Sequence, residues 1–478
     1  MPPESAPVIL WFRRDLRLAD NPALNEAAAS GRPVIPIYIH QPEAAGEWAE
    51  GGASRWWLHH SLESLGRSLA ALGTPLRLLR GPADRVLPQL AQETGATSVL
   101  WNRRTEPWAN QQDTIIAAEL KALGITPRSF NAALLFQSGA IVSQSGRPFK
   151  VFTPFWKACL AAPPPAPPLP APTTLRPWGG ALAVEDLDQW GLLPTKPDWA
   201  CGLRQSWQPG EAAAQSRLAE FLSEGVTQYA GNRDVPAQPG TSRLSPHLHF
   251  GEISPRQIFH AIRRTAEPGQ GSERFLAELG WREFSAHLLH DCPDLPERPL
   301  RPEFERLAWR HDTDGLRAWQ QGRTGYPLVD AGMRQLWATG WMHNRVRMVT
   351  ASFLVKDLLV RWQEGEAWFW DTLVDADLAS NAASWQWVAG CGADAAPFFR
   401  VFNPVLQGEK FDPKGRYVRQ WCPELANLPD KWLHQPWRAP AQVLRQAGVV
   451  LGETYPVPLV DHDQARKRAL AAFAELKA

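Results

Sequence analysis

The sequence predicts two domains of different fold class, a parallel α/β domain at the N-terminus and an all-α domain at the C-terminus. In residues 1–135, short apolar runs alternate with helix-length amphipathic segments, which is the pattern of a parallel sheet covered by helices. Beyond residue 205 the apolar residues recur with helical periodicity. A proline-rich stretch separates the two regions, so we predict a linker over 136–204 and a second domain over 205–478.

Four apolar runs in the first region are predicted strands: VILWF (8–12), VIPIYIH (34–40), PLRLLRG (75–81) and TSVLWN (97–102). The segments 54–73 and 83–95 between them have the length and periodicity of helices. No GxGxxG motif follows the first run, so the usual fingerprint of a dinucleotide bound to this sheet is missing.

The stretch LAAPPPAPPLPAPTTLRPWGG, at 160–180, is predicted to run extended or as a polyproline helix across a surface, because proline fixes the backbone there. Three later segments are predicted to be helical: 210–225, 272–291 and 344–362. Little of the sequence after residue 205 resembles a strand, so the second domain is expected to be almost entirely α.

The charge balance argues against a protein that coats nucleic acid indiscriminately, because 50 basic residues face 49 acidic ones. Any contact with a phosphate backbone must then use a local basic patch. The five cysteines are scattered without CxxC spacing, so neither disulfides nor a metal centre is expected. The order of charges at the N-terminus is wrong for a secretory signal, and no apolar stretch reaches membrane-spanning length. We therefore expect a soluble, cytoplasmic protein.

The segment GTSRLSPHLHFGEISPRQI, at 240–258, places three hydroxyl side chains and Arg243 directly after a glycine. Hydroxyls and backbone N–H groups at the start of a helix can bind a phosphate or pyrophosphate. The alternative is a pair of ordinary capping turns, in which Ser245-Pro246 and Ser254-Pro255 each begin a short helix.

Two further segments place polar and aromatic residues on one helical face. In GWMHNRVRM, Asn344 and Met348 lie one turn apart and could contact a nucleobase-like ring. In ELGWREF, Glu278, Trp281 and Arg282 cluster over one turn, where an acid and an indole could bind a polar aromatic ligand. The alternatives are a solvated basic helix start for the first segment and a simple Glu278–Arg282 ion pair for the second.

The run DADLASNAASWQW, at 375–387, combines acids, an asparagine, small residues and two tryptophans. On a helix, Asp377, Asn381 and Trp385 would share one stripe, and the alanines would leave room for a planar group. The two acids are also explained by the helix dipole alone. An asparagine in mid-helix is harder to explain in that way, because it competes with the backbone unless it has a partner.

Taken together and in this order, these segments resemble the photolyase/cryptochrome flavoprotein family. The resemblance extends over nearly the whole chain and rests on LWFRRDLRLADNPAL, YAGNRDVPAQPGTSRLSPHLHFGEISPRQ, TGYPLVDAGMRQLWATGWMHNRVRMV and DADLASNAASWQWVAGCGADAAPFFRVFNPVLQGEKFD. It implies an N-terminal Rossmann-like α/β domain joined by a long linker to a C-terminal, all-helical FAD-binding domain.

The resemblance also implies residues that bind FAD. These are Tyr229, Thr241, Ser242, Arg243, Leu244, Ser245, Arg282, Asn344, Arg347, Asp375, Asp377 and Asn381. Arg347 is the expected partner of Asp375, and Asn381 corresponds to the residue that faces the flavin N5. Trp385, Trp362 and Trp309 resemble the three-tryptophan chain that carries electrons from the surface to the flavin.

The substrate-facing positions resemble those of enzymes that repair cyclobutane pyrimidine dimers. The expected DNA and substrate contacts are Arg233, Glu278, Trp281, Asn344, Arg345, Met348, Trp387 and Gln407. Repairers of (6-4) photoproducts have histidines within the 344–348 segment, and none is present there. Plant cryptochromes typically have aspartate at the position of Asn381. The segment LLPTKPDWA and the ending LGETYPVPLVDHDQARKRA look most like bacterial class III dimer photolyases.

The implied activity is a light-driven repair of DNA. Reduced FAD, excited directly or through an antenna, donates an electron to a flipped-out dimer, the ring splits and the electron returns. Glu278 and Asn381 would act at the reacting centre. The resemblance to class III relatives implies 5,10-methenyltetrahydrofolate as the antenna. The Asn-Glu pair of class I folate sites is replaced here by Trp108-Ala109. A deazaflavin, or no antenna at all, is the alternative. The partner is UV-damaged DNA and the expected state a monomer. The rival hypothesis is a blue-light receptor that binds FAD without repair.

Overall fold

The structure, a computed structural model, describes residues 6–265, 269–398 and 400–476. Its N-terminal region is built on a parallel sheet with the strand order β3-β2-β1-β4-β5. The strands are β1 (Val8–Phe12), β2 (Pro33–His40), β3 (Arg77–Arg80), β4 (Ser98–Asn102) and β5 (Thr126–Phe130), with the short β6 (Arg176–Pro177) pairing beside β2. This order is that of a Rossmann-like sheet, as predicted.

Alternate residues of β1 face opposite sides of the sheet, and each side is buried. Val8, Leu10 and Phe12 belong to the core under α1 (Pro22–Ala29) and α2 (Gly52–Ala71). Ile9 and Trp11 belong to the core under α3 (Ala83–Thr94) and α4 (Pro107–Ala122). Burial on both faces explains why these strands are continuous apolar runs in the sequence.

The strand β5 was not among the predicted strands. Its sequence, TPRSF, has no apolar run, and none of its residues is fully buried. Among the described strands it pairs only with β4, at the edge of the sheet. An edge strand can carry polar side chains on both faces, so it lacks the signal that identifies a central strand.

The linker packs against both domains. It contains a helix, α5 (Phe152–Ala161), whose Phe155 and Trp156 enter the core of the helical domain. The proline-rich part that follows is mostly exposed and has no helix before Leu187, as predicted. Trp190 and Leu192 then return to the core on one side of the sheet.

The C-terminal region is helical, as predicted, and an isolated bridge between Leu451 and Tyr455 is its one β-type pairing among the described residues. None of the helices in the described ranges is long and apolar enough to cross a membrane. The helices are α6 (Cys201–Ser206), α7 (Glu211–Glu220), α8 (Tyr229–Asn232), α9 (Ser245–His249), α10 (Pro255–Thr265), α11 (Gln270–Asp291), α12 (Thr313–Gln320), α13 (Pro327–Thr339), α14 (Asn344–Ser352), α15 (Trp362–Thr372), α16 (Leu378–Ala389), α17 (Pro404–Phe411), α18 (Arg416–Trp421), α19 (Asp430–Leu433), α20 (Ala441–Ala447) and α21 (His462–Glu475).

The prediction of one helix over 344–362 was wrong. The α-helix α14 ends at Ser352, and a π-helical turn follows over Phe353–Asp357. The next helix, α15, begins only at Trp362. Leu359 between them has a φ of 58°, which no helix can contain. The apolar periodicity continues through this break because the turn is itself buried in the core, so the sequence pattern hides it.

One buried carboxylate joins the two domains. Glu252, which is fully buried, accepts hydrogen bonds from Trp57 Nε1 of α2 at 3.0 Å and from the backbone N–H of Gly210 at 2.7 Å. Ser61 of α2 donates to the same carboxylate, and His247 Nδ1 lies 2.5 Å from its other oxygen. Each oxygen of this buried carboxyl group therefore has a hydrogen-bond partner, as buried polar groups require.

Candidate active site

The run that opens α16 forms the predicted helical stripe. Asp377 is the N-cap, and its carboxylate accepts a hydrogen bond from the Ser380 backbone N–H at 2.8 Å. Asn381, one turn later, is buried and its Nδ2 donates to the Glu366 carbonyl at 3.1 Å. Trp385 follows after another turn and is also buried. The mid-helix asparagine therefore has a partner on α15, which fixes the direction of its amide.

Asp375, just before this helix, is held from two sides. Arg347 Nη2 lies 2.9 Å and 3.1 Å from its two carboxylate oxygens, and Arg347 Nε donates to the Met342 carbonyl at 2.7 Å. The Ser245 hydroxyl donates to the same carboxylate at 2.6 Å. The pairing links α9 and α14 to the start of α16, so three segments that are distant in sequence form one polar cluster.

The turn over 240–245 has the features of an anion site. Gly240 lies so close to the end of α8 that a Cβ would come within 2.6 Å of the Asn232 carbonyl oxygen. Arg243 adopts a φ of 52°, and its guanidinium lies 4.1 Å from the ring centre of Trp207. Burial lowers the pKa of Arg243 to about 10. Its Nε is buried and has no hydrogen-bond partner among the described residues, so the cation is available to an anion.

Glu366 is a functional candidate that the sequence did not indicate. Its side chain is fully buried, and neither carboxyl oxygen has a hydrogen-bond partner within the described parts of the chain. Burial raises the pKa of Glu366 well above its usual range, which favours the neutral form of the acid. Since its backbone carbonyl also accepts the Asn381 amide, a buried carboxyl group without a hydrogen-bond partner among the described residues lies beside the predicted flavin residue.

Four of the predicted substrate residues, Arg233, Glu278, Arg345 and Met348, are joined in a continuous chain of contacts between the end of α8, α11 and α14. Arg233 forms an ion pair with Glu278, and Arg233 Nε lies 3.9 Å from Asp234. Asp234 in turn pairs with Arg345 at 2.9 Å, and Arg345 Nη1 lies 3.8 Å from the Met348 sulfur. We call these five residues the acid–arginine chain. Asp234 was not predicted, although its place directly after Arg233 was an available signal.

The residues that follow Glu278 have different partners. The indole of Trp281 stacks on the ring of Phe152 with centroids 3.9 Å apart and planes 8° apart. Arg282 donates to the Ala133 carbonyl at 2.6 Å. Since Glu278 pairs with Arg233 and Arg274, the alternative of a simple Glu278–Arg282 ion pair is wrong.

The other predicted site residues are spread over these same elements. Tyr229 and Leu244 are buried, and the Arg233 guanidinium lies 5.5 Å from the Tyr229 ring centre. Thr241 and Ser242 are half-buried. Asn344 is exposed at the start of α14, and no side-chain contact among the described residues joins it to the acid–arginine chain. The same holds for the half-buried Trp387 on α16 and Gln407 on α17.

The three predicted electron-transfer tryptophans belong to the core of the helical domain. Trp385 and Trp362 are buried, and Trp309 is partly buried against the same core. The ring neighbours of Trp385 include Phe369, with centroids 5.0 Å apart, and Trp319 at 6.2 Å. Trp319 was not predicted, because a buried tryptophan on α12 has no sequence feature that separates it from ordinary core.

Two family models match the chain on either side of the linker. The model described as DNA photolyase matches residues 8–173, and the model described as FAD binding domain of DNA photolyase matches residues 275–475. The second match contains Glu278, Arg347, Asp375 and Asn381.

Whole-length relatives agree with these matches. A deoxyribodipyrimidine photo-lyase of Agrobacterium fabrum is 50% identical over 476 residues, with 99% of both chains covered. Cryptochrome-1 of Arabidopsis thaliana is 42% identical and is covered over 70% of its length, against 98% of this chain. The crystal structure of a bacterial class III photolyase from Agrobacterium tumefaciens superposes with a TM-score of 0.97 at 50% identity and covers 100% of this chain and 99% of that one. The chain therefore belongs to the photolyase/cryptochrome family.

Proposed function

We propose that this protein is a light-dependent DNA repair enzyme, a deoxyribodipyrimidine photo-lyase that splits cyclobutane pyrimidine dimers. The observation that carries the proposal is the acid–arginine chain, which holds Glu278 and Met348 in one connected set, with Trp281 one turn after Glu278 on the same helix. An acid for the polar edge of a pyrimidine, a thioether and an indole for its faces, and arginines for phosphate suit a damaged base pair in DNA.

The cofactor is FAD, and the residues present fit it. The unpaired Arg243 and the hydroxyls of Thr241 and Ser242 suit its pyrophosphate. Asn381 uses one N–H on the Glu366 carbonyl and keeps its second N–H and its amide oxygen, so it can donate to or accept from a polar ring edge, whereas an ionised carboxylate only accepts. When bound, FAD supplies light-driven transfer of single electrons.

The protein's own side chains would act by holding the lesion and the DNA in position. Arg233 and Arg274 hold the Glu278 carboxyl group, which would hydrogen-bond the pyrimidine edge. Trp281 is backed on one face by Phe152, so its other face is the one that would stack on the lesion. Arg345, with Gln407 and Trp387, would contact DNA near the flipped nucleotides.

The DNA must present its lesion outside the helical stack. Photolyases are themselves a standard example of enzymes that extrude the target nucleotides into a pocket. A cyclobutane dimer pairs and stacks poorly, which lowers the cost of extrusion and contributes selectivity. Binding is expected to weaken steeply with salt, because phosphate contacts release counterions.

We also propose an antenna site for 5,10-methenyltetrahydrofolate at the carboxyl edge of the sheet. A cavity there is lined by Arg14, Trp48, Glu106 and Trp108, and by Leu378 at the start of α16. The pKa of Glu106 falls to about 2, because the ion pair with Arg104 outweighs the opposing effect of burial. Indoles for stacking and a fixed carboxylate for an amino-substituted ring suit a pterin. A Trp108→Ala variant that retains folate as tightly as wild type would contradict this location.

One assay separates repair from the rival function of a blue-light receptor. The protein is reduced, illuminated with near-ultraviolet or blue light beside oligonucleotides that carry a thymine dimer, and restored thymines are measured. Glu278→Gln should repair less per absorbed photon than wild type. The matched control is Glu273→Gln, because Glu273 lies on the same helix and forms an exposed ion pair with Arg263. Tight binding of the lesion without repair by fully reduced protein would rule out the enzyme.

The oligomeric state of the protein and its location in the cell can each be tested directly. We propose that the enzyme acts as a monomer, since one chain contains each site described above. We also propose that it acts in the cytoplasm. Light scattering of the FAD-loaded protein should give the mass of a single chain, and cell fractionation should recover it with cytoplasmic markers.

A further inference from the structure

A second group of side chains with metal-binding chemistry lies outside this site, on α2. His59, His60 and Glu63 each offer one ligand atom, and these atoms lie within 4.8 Å of one another. Asp188, in the 3₁₀ turn Leu187–Trp190 of the linker, has its carboxylate 3.8 Å from His59 Nε2. Two imidazoles and one carboxylate of α2 thus converge, and an exposed carboxylate of the linker lies within reach of one of the imidazoles.

His59 is the residue that makes this group more than a surface cluster. It is 4% exposed, and its Nδ1 is buried without a hydrogen-bond partner among the described residues. Its Nε2 lies 3.9 Å from Glu63 and 3.8 Å from Asp188, too far for hydrogen bonds. Those separations are roughly twice a zinc–ligand bond of about 2.0–2.2 Å. A cation between these three atoms would therefore give His59 Nε2 a bond in place of the hydrogen bond that it lacks among the described residues.

The ligand types select the class of metal. Imidazole nitrogens suit Zn²⁺ and similar transition ions, whereas Mg²⁺ and Ca²⁺ prefer sites made only of oxygen atoms. The remaining contact, 3.0 Å between His60 Nδ1 and Glu63, already orients those two side chains toward each other.

We propose that His59, His60, Glu63 and Asp188 form a binding site for Zn²⁺. A site with four protein ligands and no open position for a substrate is structural rather than catalytic. The expectation of no metal centre came from the cysteine spacing, and it overlooked a pair of histidines followed by a glutamate on one helix, because the fourth ligand lies far away in the linker.

A bound ion would attach the linker to the α/β domain. Trp190, at the end of the same linker turn, stacks on His40 with centroids 4.6 Å apart, and His40 lies at the carboxyl end of β2. An ion bridging Asp188 and α2 would hold this turn of the linker on the α/β domain. Metal binding is thus expected to raise the unfolding temperature, because only the folded chain brings the four ligands together.

The test uses the full-length, FAD-loaded protein after treatment with a chelator and dialysis. Isothermal titration with Zn²⁺ should give one ion per chain with a dissociation constant below about 10 μM. His60→Ala and Glu63→Gln should each weaken binding by at least about tenfold, and Asp188→Asn should weaken it less, because that side chain is 83% exposed. The controls are His311→Ala and Glu273→Gln, which remove an exposed histidine and an exposed acid elsewhere.

Two results would overturn the proposal. One is the absence of saturable Zn²⁺ binding by wild type, and the other is equal affinity in wild type and in the His60→Ala/Glu63→Gln double variant. The FAD absorbance of each variant verifies that it has folded. As a second readout, Zn²⁺ should raise the unfolding temperature of wild type and leave that of the double variant unchanged. A rise of equal size in both would also contradict the assignment.

Discussion

Arg347 and Asp375 form a two-point ion pair, with Arg347 Nη2 2.9 Å and 3.1 Å from the two carboxylate oxygens. The pair connects α14 to the turn before α16 and brings Ser245 of α9 to the same carboxylate. The resemblance of the sequence to its family had suggested this partnership. In the structure the pair does more than neutralise charge, because it fixes the relative positions of three elements that carry predicted FAD residues.

The first prediction concerns this cluster. Asp375→Asn should release FAD at least about tenfold faster and lower the free energy of unfolding by about 2 kcal/mol, because Arg347 and Ser245 lose a charged acceptor. Dissociation of FAD is followed by its fluorescence and unfolding by thermal denaturation. Asp294→Asn, at an exposed position, should change neither quantity. Unchanged FAD retention in Asp375→Asn would remove this pair from the binding site.

The second prediction tests Asn381. Asn381→Asp removes the donor to the Glu366 carbonyl and adds a carboxylate beside a buried acid. Fully reduced FAD should then persist for a shorter time in the dark, and the protein should lose about 1–3 kcal/mol of stability. Absorbance of the reduced flavin measures the first effect. The control is Asn25→Asp, since Asn25 makes a similar bond to the Asn21 carbonyl in the other domain. Equal persistence in Asn381→Asp and wild type would be evidence against a role at the flavin.

The third prediction separates photoreduction from repair. Trp385→Phe should slow light-driven reduction of the flavin several-fold, because phenylalanine is far harder to oxidise than tryptophan. Repair by chemically reduced protein should be largely retained, since that reaction does not need the tryptophan chain. Trp432→Phe, at a half-buried position beside Lys431, is the matched control. Parallel loss of both activities in Trp385→Phe would show that the residue is structural.

The fourth prediction is a dependence of stability on pH. Burial raises the pKa of Glu283 from 4.5 to about 7, so the folded protein holds this proton more tightly than the unfolded chain does. The protonated group contributes its full stabilisation below about pH 4.5. This contribution is lost as the pH rises through about 7, which lowers the free energy of unfolding by roughly 3 kcal/mol. Glu283→Gln should abolish this loss.

The measurement for Glu283 is chemical denaturation of wild type and variant between pH 5 and pH 8, compared as a difference so that other titrating groups cancel. Glu283 also accepts a hydrogen bond from the Phe136 backbone N–H at 3.1 Å, which glutamine can still accept through its oxygen. A difference between the two proteins that does not vary with pH would contradict the raised pKa.

Periodicity and family motifs predicted the architecture because they depend on local properties. The central strands are recognisable as continuous apolar runs, because both of their faces are buried. Most of the long helices are recognisable because apolar residues recur with helical periodicity on the buried face. The same reasoning missed β5, whose side chains are mostly solvated, and the break after Ser352, where a buried turn keeps the apolar pattern of a helix.

The sequence by itself determined the fold class, the family and the identity of most candidate site residues, because each is encoded in motifs that are contiguous along the chain. Apart from the Arg347–Asp375 pair, only the tertiary structure decided which partner each of them has. Asp234 joins Arg233 to Arg345, Phe152 backs Trp281, and the unpaired acid of Glu366 lies beside Asn381. These contacts join residues far apart in sequence, and their strength depends on burial and direction. No local pattern contains that information, since it arises when the helices pack.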